Sequence, residues 1–331
     1  MTARLFAKRG CLIAALSLLA APALASPYSD INAAAAASPI TVHPLRRHMA
    51  MLEGSGGNIT ALTGPDGIVM VDTGIAVSKD KILAALRGLD TGKLRTAILT
   101  HWHWDHADGD GWVRAAGANI IAHKNAVARL RQTIRVVEWE HTFTPVPAGD
   151  LPNEIITGER TLHLDRETIR IRPYRPGHTD GDLSIYFAKA DVLAVGDTFW
   201  NGQYPFIDYV TGGSIDGAIR AANVNIAIAT RHTIIVPGHG PVGDLASQLA
   251  FRDMLVAIRQ KVAALKAQGK SLAEVQAAKP TAAFDAKWGR SIISGDLFTA
   301  LVLSRRLARN GPDRLGFWLA LMRASRCPAA Q

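Results

Sequence analysis

The chain has 331 residues, 48% of them hydrophobic and 20% charged, with a formal net charge of +9. That length is enough for a buried core in one large domain or two modest ones, and the composition is that of an ordinary globular protein, so disorder is not the default. The positive charges are scattered rather than gathered in runs, so no nucleic-acid partner is expected.

Arg4, Lys8 and Arg9 precede the apolar run CLIAALSLLA, and Ala23 to Ala25 close it with small side chains. This layout predicts a secretory signal peptide over residues 1–25, and hence a periplasmic or secreted protein. An apolar run of about ten residues is too short for the roughly twenty that span a bilayer. No later stretch is longer, so no stable membrane insertion is expected after cleavage. Loss of the leader takes the formal charge from +9 to +6. It also removes Cys11, leaving Cys327 without a partner for an internal disulfide.

Residues 26–40, SPYSDINAAAAASPI, are small and unpatterned and are expected to form a flexible lead-in. NITALTG and GIVMVDTG flank Pro65-Asp66-Gly67 and predict a hairpin. SKDKILAALRGL has helical spacing, with Ser78 as its cap. TAILT is a short buried strand that runs into THWHWDHADGD, and GWVRAAGANIIAHKNAVARL predicts helix, strand and helix. Residues 136–160, with Trp139, Phe143 and three prolines in little order, predict a loop able to roof a site. ETIRIRPY, LSIYFAKADVLAVG and RHTIIVPG are further strands. Beyond Asp244 the spacing turns helical again, which predicts a C-terminal helical extension, residues 246–331, packed on the core of a domain spanning 41–245. Strands alternating with helices and hairpins imply a layered α/β fold.

The chemistry concentrates in residues 100–110, where His101, His103 and His106 stand beside Asp105 within one hexapeptide, HWHWDH. Alternation along an extended segment points His101 and His103 the same way and Trp102 the other. Three later strands each lead through a glycine to another metal-competent residue: RIRPYRPGH to His178, DVLAVGD to Asp197 and HTIIVPGH to His239. Imidazole and carboxylate together suit zinc and related divalent ions. Seven such ligands exceed one tetrahedral ion and suit two, with one carboxylate shared. Two ions a few ångströms apart can hold a bridging hydroxide at lowered pKa.

The ordered set of His101-x-His103-x-Asp105-His106, Gly109, His178, Asp197 and His239 resembles the metallo-β-lactamase superfamily over residues 40 to about 243. The resemblance implies a four-layer αββα sandwich with its site at one edge of the paired sheets. It places His101, His103 and His178 on one metal and Asp105, His106 and His239 on a second, with Asp197 bridging them. It also makes Asp72, in VDTG, a supporting carboxylate. Asp197 stands where some lactamases carry a cysteine. Ala107-Asp108-Gly109-Asp110 departs from the paired glycines of glyoxalase-type thioesterases. His103 stands where the diiron redox branch tends to carry a glutamate, which favours a hydrolytic zinc site.

The segment after Asp197 is rich in aromatics, and with Trp102 and Trp104 it is expected to wall an apolar cleft. Within it Asn201 and Tyr204 are the candidates for hydrogen bonds to a developing oxyanion, while Ser214 is expected to cap the next helix. These features predict an exported hydrolase with two Zn2+ ions, cleaving an acyl bond of a small-molecule substrate by attack of a metal-bridging hydroxide. The bond is a β-lactam, lactone, ester or thioester, with Asp105 as both ligand and hydrogen-bond acceptor. Two alternatives are a one-iron oxidoreductase like the persulfide dioxygenases of the superfamily, and a non-catalytic metal-binding accessory of a periplasmic redox system.

Overall fold

The computed structural model describes residues 26–304, so the segment read as a signal peptide and the last part of the C-terminal extension lie outside the described residues. Among the described residues fourteen strands run in chain order: β1 (Thr41–Pro44), β2 (Met49–Glu53), β3 (Ile59–Leu62), β4 (Ile68–Val71), β5 (Leu94–Ile98), β6 (Asn119–His123), β7 (Ile134–Val136), β8 (His141–Phe143), β9 (Glu154–Ile156), β10 (Arg160–Leu164), β11 (Glu167–Pro173), β12 (Leu183–Phe187), β13 (Val192–Ala194) and β14 (Ile234–Val236). They form a seven-stranded sheet ordered β1-β2-β3-β4-β5-β6-β9, a five-stranded sheet ordered β10-β11-β12-β13-β14, and a small β7-β8 ribbon.

The alternation of side chains across each strand explains the layering. In β2, Met49 and Met51 face the other sheet and pack in one core with Ile169, Ile185 and Phe187, while Ala50 and Leu52 face the helices in a second core. The two sheets meet face to face and helices pack on the outer side of each, over Leu193 and Ile235 in the smaller sheet, while Arg170 and Arg172 of β11 stay exposed; the architecture is a four-layer αββα sandwich. Ten helices in the described residues complete it: α1 (Pro27–Ala37), α2 (Lys79–Leu89), α3 (Trp104–Ala107), α4 (Asp110–Ala115), α5 (Lys124–Leu130), α6 (Ile215–Ile228), α7 (Leu245–Ala267), α8 (Leu272–Ala277), α9 (Ala282–Trp288) and α10 (Gly295–Leu303). Helices α2, α4 and α6 are the crossovers that parallel pairing of β4-β5, β5-β6 and β13-β14 requires.

Three local expectations need correction. Residues 26–40 contain a helix rather than a flexible lead-in. Ser26 and Ser29 form a capping box, Pro27 takes the first turn, and Tyr28 stacks on His141 at 3.6 Å between ring centroids and packs against Trp104 and Phe143. Ser78 does not cap α2 with its side chain; its hydroxyl donates to the carbonyl of Ala35 and ties α1 to the domain. Residues 136–160 are not one irregular loop: β8 pairs with β7, β9 extends the large sheet, and Trp139 is buried against Trp104 and Phe206.

Helix α7 buries Phe251, Met254, Leu255, Ile258 and Val262, the spacing of one helical face. These side chains join the same core as the outer face of the sandwich, together with Trp288 and Phe298 of the following helices. Phe251 is fully buried and packs on Phe199 at 5.2 Å. Phe251→Ala is expected to lower stability by about 3–5 kcal/mol in a single cooperative transition. A separate early melting step in calorimetry, with the main transition unmoved, would show instead that the helices form their own unit.

Candidate metal centre

Four backbone segments carry the seven predicted ligands to the rim between the two sheets. Strand β5 ends at Ile98. The chain is then pinned by Thr100 N–H, which donates to Asp72 Oδ1 at 2.6 Å, so that His101 follows directly. His101 and His103 present their rings to one side, 4.8 Å apart, while Trp102 turns away and donates from Nε1 to Thr211 Oγ1. His103 is the N-cap of α3, a single turn that places Asp105 and His106. His178 lies between β11 and β12, where its N–H and that of Thr179 donate to the carboxylate of Asp182. Asp197 sits in a tight turn after β13, and His239 follows β14.

Glycines at this rim serve close approach. Gly196 has φ +50°, and a Cβ there would meet Thr100 Oγ1 at 2.5 Å. A Cβ on Gly238 would stand 2.0 Å from Asp197 Oδ1. Gly238 therefore precedes His239 because the two strand ends touch at that point, with no left-handed backbone required.

The seven side chains fall into two groups: His101, His103, His178 and Asp197, and Asp105, His106 and His239, with ligand atoms inside each group within 4.8 Å of one another. In the first, His178 Nε2 is 2.9 Å from His103 Nδ1 and 3.3 Å from Asp197 Oδ2. His101 Nε2 is 3.8 Å from the same oxygen. The other oxygen, Oδ1, faces the second group, 3.0 Å from His106 Nε2 and 3.4 Å from His239 Nε2. Asp105 Oδ2 approaches His239 Nε2 at 3.3 Å. His101 Nε2 and Asp197 Oδ1 are buried with no hydrogen-bond partner. Buried polar atoms of that kind are costly unless something satisfies them. Convergent imidazoles and carboxylates with such atoms at their centre fit a divalent cation.

Protonation separates the two groups. Burial, reinforced by His106, holds His101 well below the ordinary imidazole range, and burial pushes His178 down to about 4. Burial also opposes charge on His106 and His239, but Asp197 and Asp105 overcome it. They raise His106 well above its usual value and His239 to about 9. Asp197 lies well below the carboxylate range, since His239, His106, His178 and His101 outweigh its burial.

The outer nitrogens of four ligands have partners. His106 Nδ1 meets Asp72 Oδ2 at 2.8 Å, His178 Nδ1 meets the carbonyl of Phe206 at 2.9 Å, and His101 Nδ1 meets Thr100 Oγ1 at 3.0 Å. Asp72 thus orients a ligand and also caps the turn at Thr100. His103 Nε2 meets Asp208 Oδ2 at 3.0 Å. Asp208, with Thr211 and Val210 donating to it, is a residue the sequence reading did not single out, and no local spacing marks it. Such partners fix ring orientation and raise ligand basicity.

The two oxyanion candidates are placed differently from expectation. Tyr204 is fully buried, stacks on Phe298, and donates its hydroxyl to Asp285 and the Thr281 carbonyl, so it belongs to the packing of the C-terminal helices. Asn201 directs its amide to the carbonyls of Pro241 and Val242. The aromatic wall is likewise mostly core: Trp102, Trp104, Phe199, Trp200 and Phe206 are all buried. Trp200 lies over the His239 ring at 4.0 Å. Ser214 caps α6, its hydroxyl accepting from Gly217 N–H.

With this fold and donor set, the chain belongs to the metallo-beta-lactamase superfamily, whose model matches residues 52–250, more than half its length. A probable metallo-hydrolase of Bacillus subtilis (strain 168), YqgX, is 26% identical over 160 residues, covering 46% of this chain and 71% of the relative. The crystal structure of DIM-1 metallo-beta-lactamase superposes with a TM-score of 0.53 and 18% identity, over 66% of this chain and 97% of that one. A double mutant of the sec-alkyl sulfatase PisA1 superposes with a TM-score of 0.61 and 17% identity, over 83% of this chain and 52% of the sulfatase. These structural likenesses define the fold.

Two outcomes follow from this geometry. Asp208→Asn is expected to weaken metal binding roughly 10–100-fold by releasing His103 from its fixed orientation. Competition titration against a chelator measures this, and an unchanged affinity would remove Asp208 from the centre. The raised pKa of His239 stabilises the ion-free protein fully below about 6.5, the unfolded value, and that contribution is lost as pH rises through about 9. An incoming cation must displace that proton, so affinity is expected to climb from pH 7 to 9 with proton release. Calorimetry in buffers of different ionisation enthalpy checks it, and a pH-independent affinity would refute it.

Proposed function

We propose that this chain is an exported, binuclear zinc hydrolase that cleaves an acyl bond in a small-molecule substrate: a β-lactam, lactone, ester or thioester. The observation that carries the reading is the division of one carboxylate, Asp197, whose Oδ2 faces His101 and His178 while Oδ1 faces His106 and His239. In this reading His101, His103 and His178 hold the first ion, Asp105, His106 and His239 hold the second, and Asp197 is shared. A zinc pair bound there supplies Lewis acidity and a water of lowered pKa.

The protein's own residues supply the rest. His103, His106 and His178 are held by partners on their far nitrogens, so the ligand set is organised before substrate arrives. The Asp105 and His239 side chains keep 11% and 15% exposure against 3% or less for the other five. Water and substrate therefore approach from their side. Asp105 Oδ2 is the acceptor best placed to take a water proton there. Membership of a family with hydrolase relatives supports hydrolysis, and the composition of residues 1–25 supports export.

The test is metal analysis of the purified chain, followed by chromogenic lactam, lactone, ester and thioester substrates and a secondary alkyl sulfate. Two zinc ions per chain and turnover of an acyl substrate are expected, with Asp105→Ala lowering kcat at least 100-fold. Turnover of the alkyl sulfate alone would overturn the acyl assignment. One iron with oxygen consumption would replace hydrolysis by an oxidoreductase, and metal binding without turnover would favour an accessory role.

A further inference from the structure

His239 closes the second group of ligands, yet it lies on an irregular loop, Pro237-Gly238-His239-Gly240-Pro241-Val242, that follows β14. The Gly238 N–H donates to the carbonyls of Gly196 at 2.8 Å and Phe199 at 3.0 Å, and the carbonyls of the loop are gripped by two asparagines that come from different sheets. Asn58, buried just before β3 of the seven-stranded sheet, donates from Nδ2 to the carbonyls of Pro237 at 3.0 Å and Gly240 at 2.9 Å. Its N–H donates to the Gly238 carbonyl at 2.8 Å. Asn201, in the turn after β13 of the five-stranded sheet, donates from its N–H to the His239 carbonyl at 2.9 Å. Its Nδ2 donates to the carbonyls of Pro241 at 2.9 Å and Val242 at 3.4 Å. Between them the two residues reach all six consecutive carbonyls of the loop.

The residue type suits the task. A run of carbonyls with no strand partner needs donors, and a neutral amide offers two in a plane without adding a charge beside the ligands. The grip on the Asn201 side is tight: Gly240 has φ +89°, and a Cβ there would stand 2.1 Å from the Asn201 carbonyl oxygen. Trp200, next to Asn201, covers the His239 ring, so the same turn restrains both the main chain and the imidazole.

We propose that Asn58 and Asn201 are positioning residues for the second metal site, holding His239 where it can meet Asp105 and Asp197. Both sites join residues of the two sheets, but only the second draws on these asparagines. The proposal rests on the binuclear reading above.

The test is titration of the metal-free full chain with Zn2+ against a chromophoric chelator, for wild type, Asn58→Ala and Asn201→Ala. Wild type is expected to take up two ions. In Asn58→Ala the first ion binds within about 3-fold of wild type and the second roughly 10–100-fold more weakly. Asn201→Ala, which keeps its backbone bond to His239, shifts the second ion in the same direction by a smaller factor and serves alone if the buried variant does not fold. Equal weakening of both ions, as a merely structural role would give, overturns the proposal, and so does an unchanged second affinity. A wild-type chain that binds one ion fails the binuclear reading itself. That result is distinct from failure of the clamp, in which wild type and variants hold two ions with equal affinities.

Discussion

One carboxylate organises the centre. Asp197 is buried among four imidazoles, and its two oxygens look in opposite directions, toward His101 and His178 on one side and His106 and His239 on the other. Removing a carboxylate from water is expensive unless positive charge and hydrogen bonds replace the solvent. Here the replacement comes from protonated imidazoles or from cations, and the same geometry serves both. The depressed Asp197 and the raised His106 and His239 are two faces of that exchange: protons occupy positions that divalent ions are suited to take.

That arrangement requires both sheets. His101, His103, Asp105 and His106 follow β5 of the larger sheet, while His178, Asp197 and His239 come from connections of the smaller one. Neither half holds a complete set. The inter-sheet core of Met49, Met51, Ile98, Ile185 and Phe187 is what brings the halves together, so ordinary packing energy sets the position of the polar rim. Glycines permit the final approach, since a side chain at Gly238 would collide with Asp197. The outer partners Asp72, Asp208 and the Phe206 carbonyl then fix ring orientation, which is the difference between seven nearby side chains and an organised cluster.

Much of this was legible in the sequence, and the failures have a common cause. The HWHWDH hexapeptide could be read because its chemistry is local: residue type and alternation alone put His101 and His103 on one side of the chain. The hairpin at Pro65-Asp66-Gly67 and the amphipathic period of α7 were readable for the same reason. Tyr204 and Asn201 were misread because polar groups close in sequence to a ligand need not point toward it; one turned to Asp285 and the other to the loop at 241–242. Residues 26–40 look featureless until Tyr28 finds the cluster of Trp104, His141 and Phe143, contacts of more than seventy residues' separation. Asp208 reaches His103 across 105 positions, and nothing near it in the chain announces the role.

The amino-acid sequence by itself determined the kind of chemistry available: the donor atoms, their grouping at strand ends, and the alternation of strands and helices that gives a layered α/β fold. These depend on residue type and short-range periodicity, which any chain segment carries with it. The tertiary structure decided which atom of each ligand faces inward, which carboxylates stand behind the imidazoles, and how a loop of glycine and proline is held still around His239. Those outcomes depend on hydrogen bonds between residues distant in the chain, whose partners exist only once the two sheets have packed.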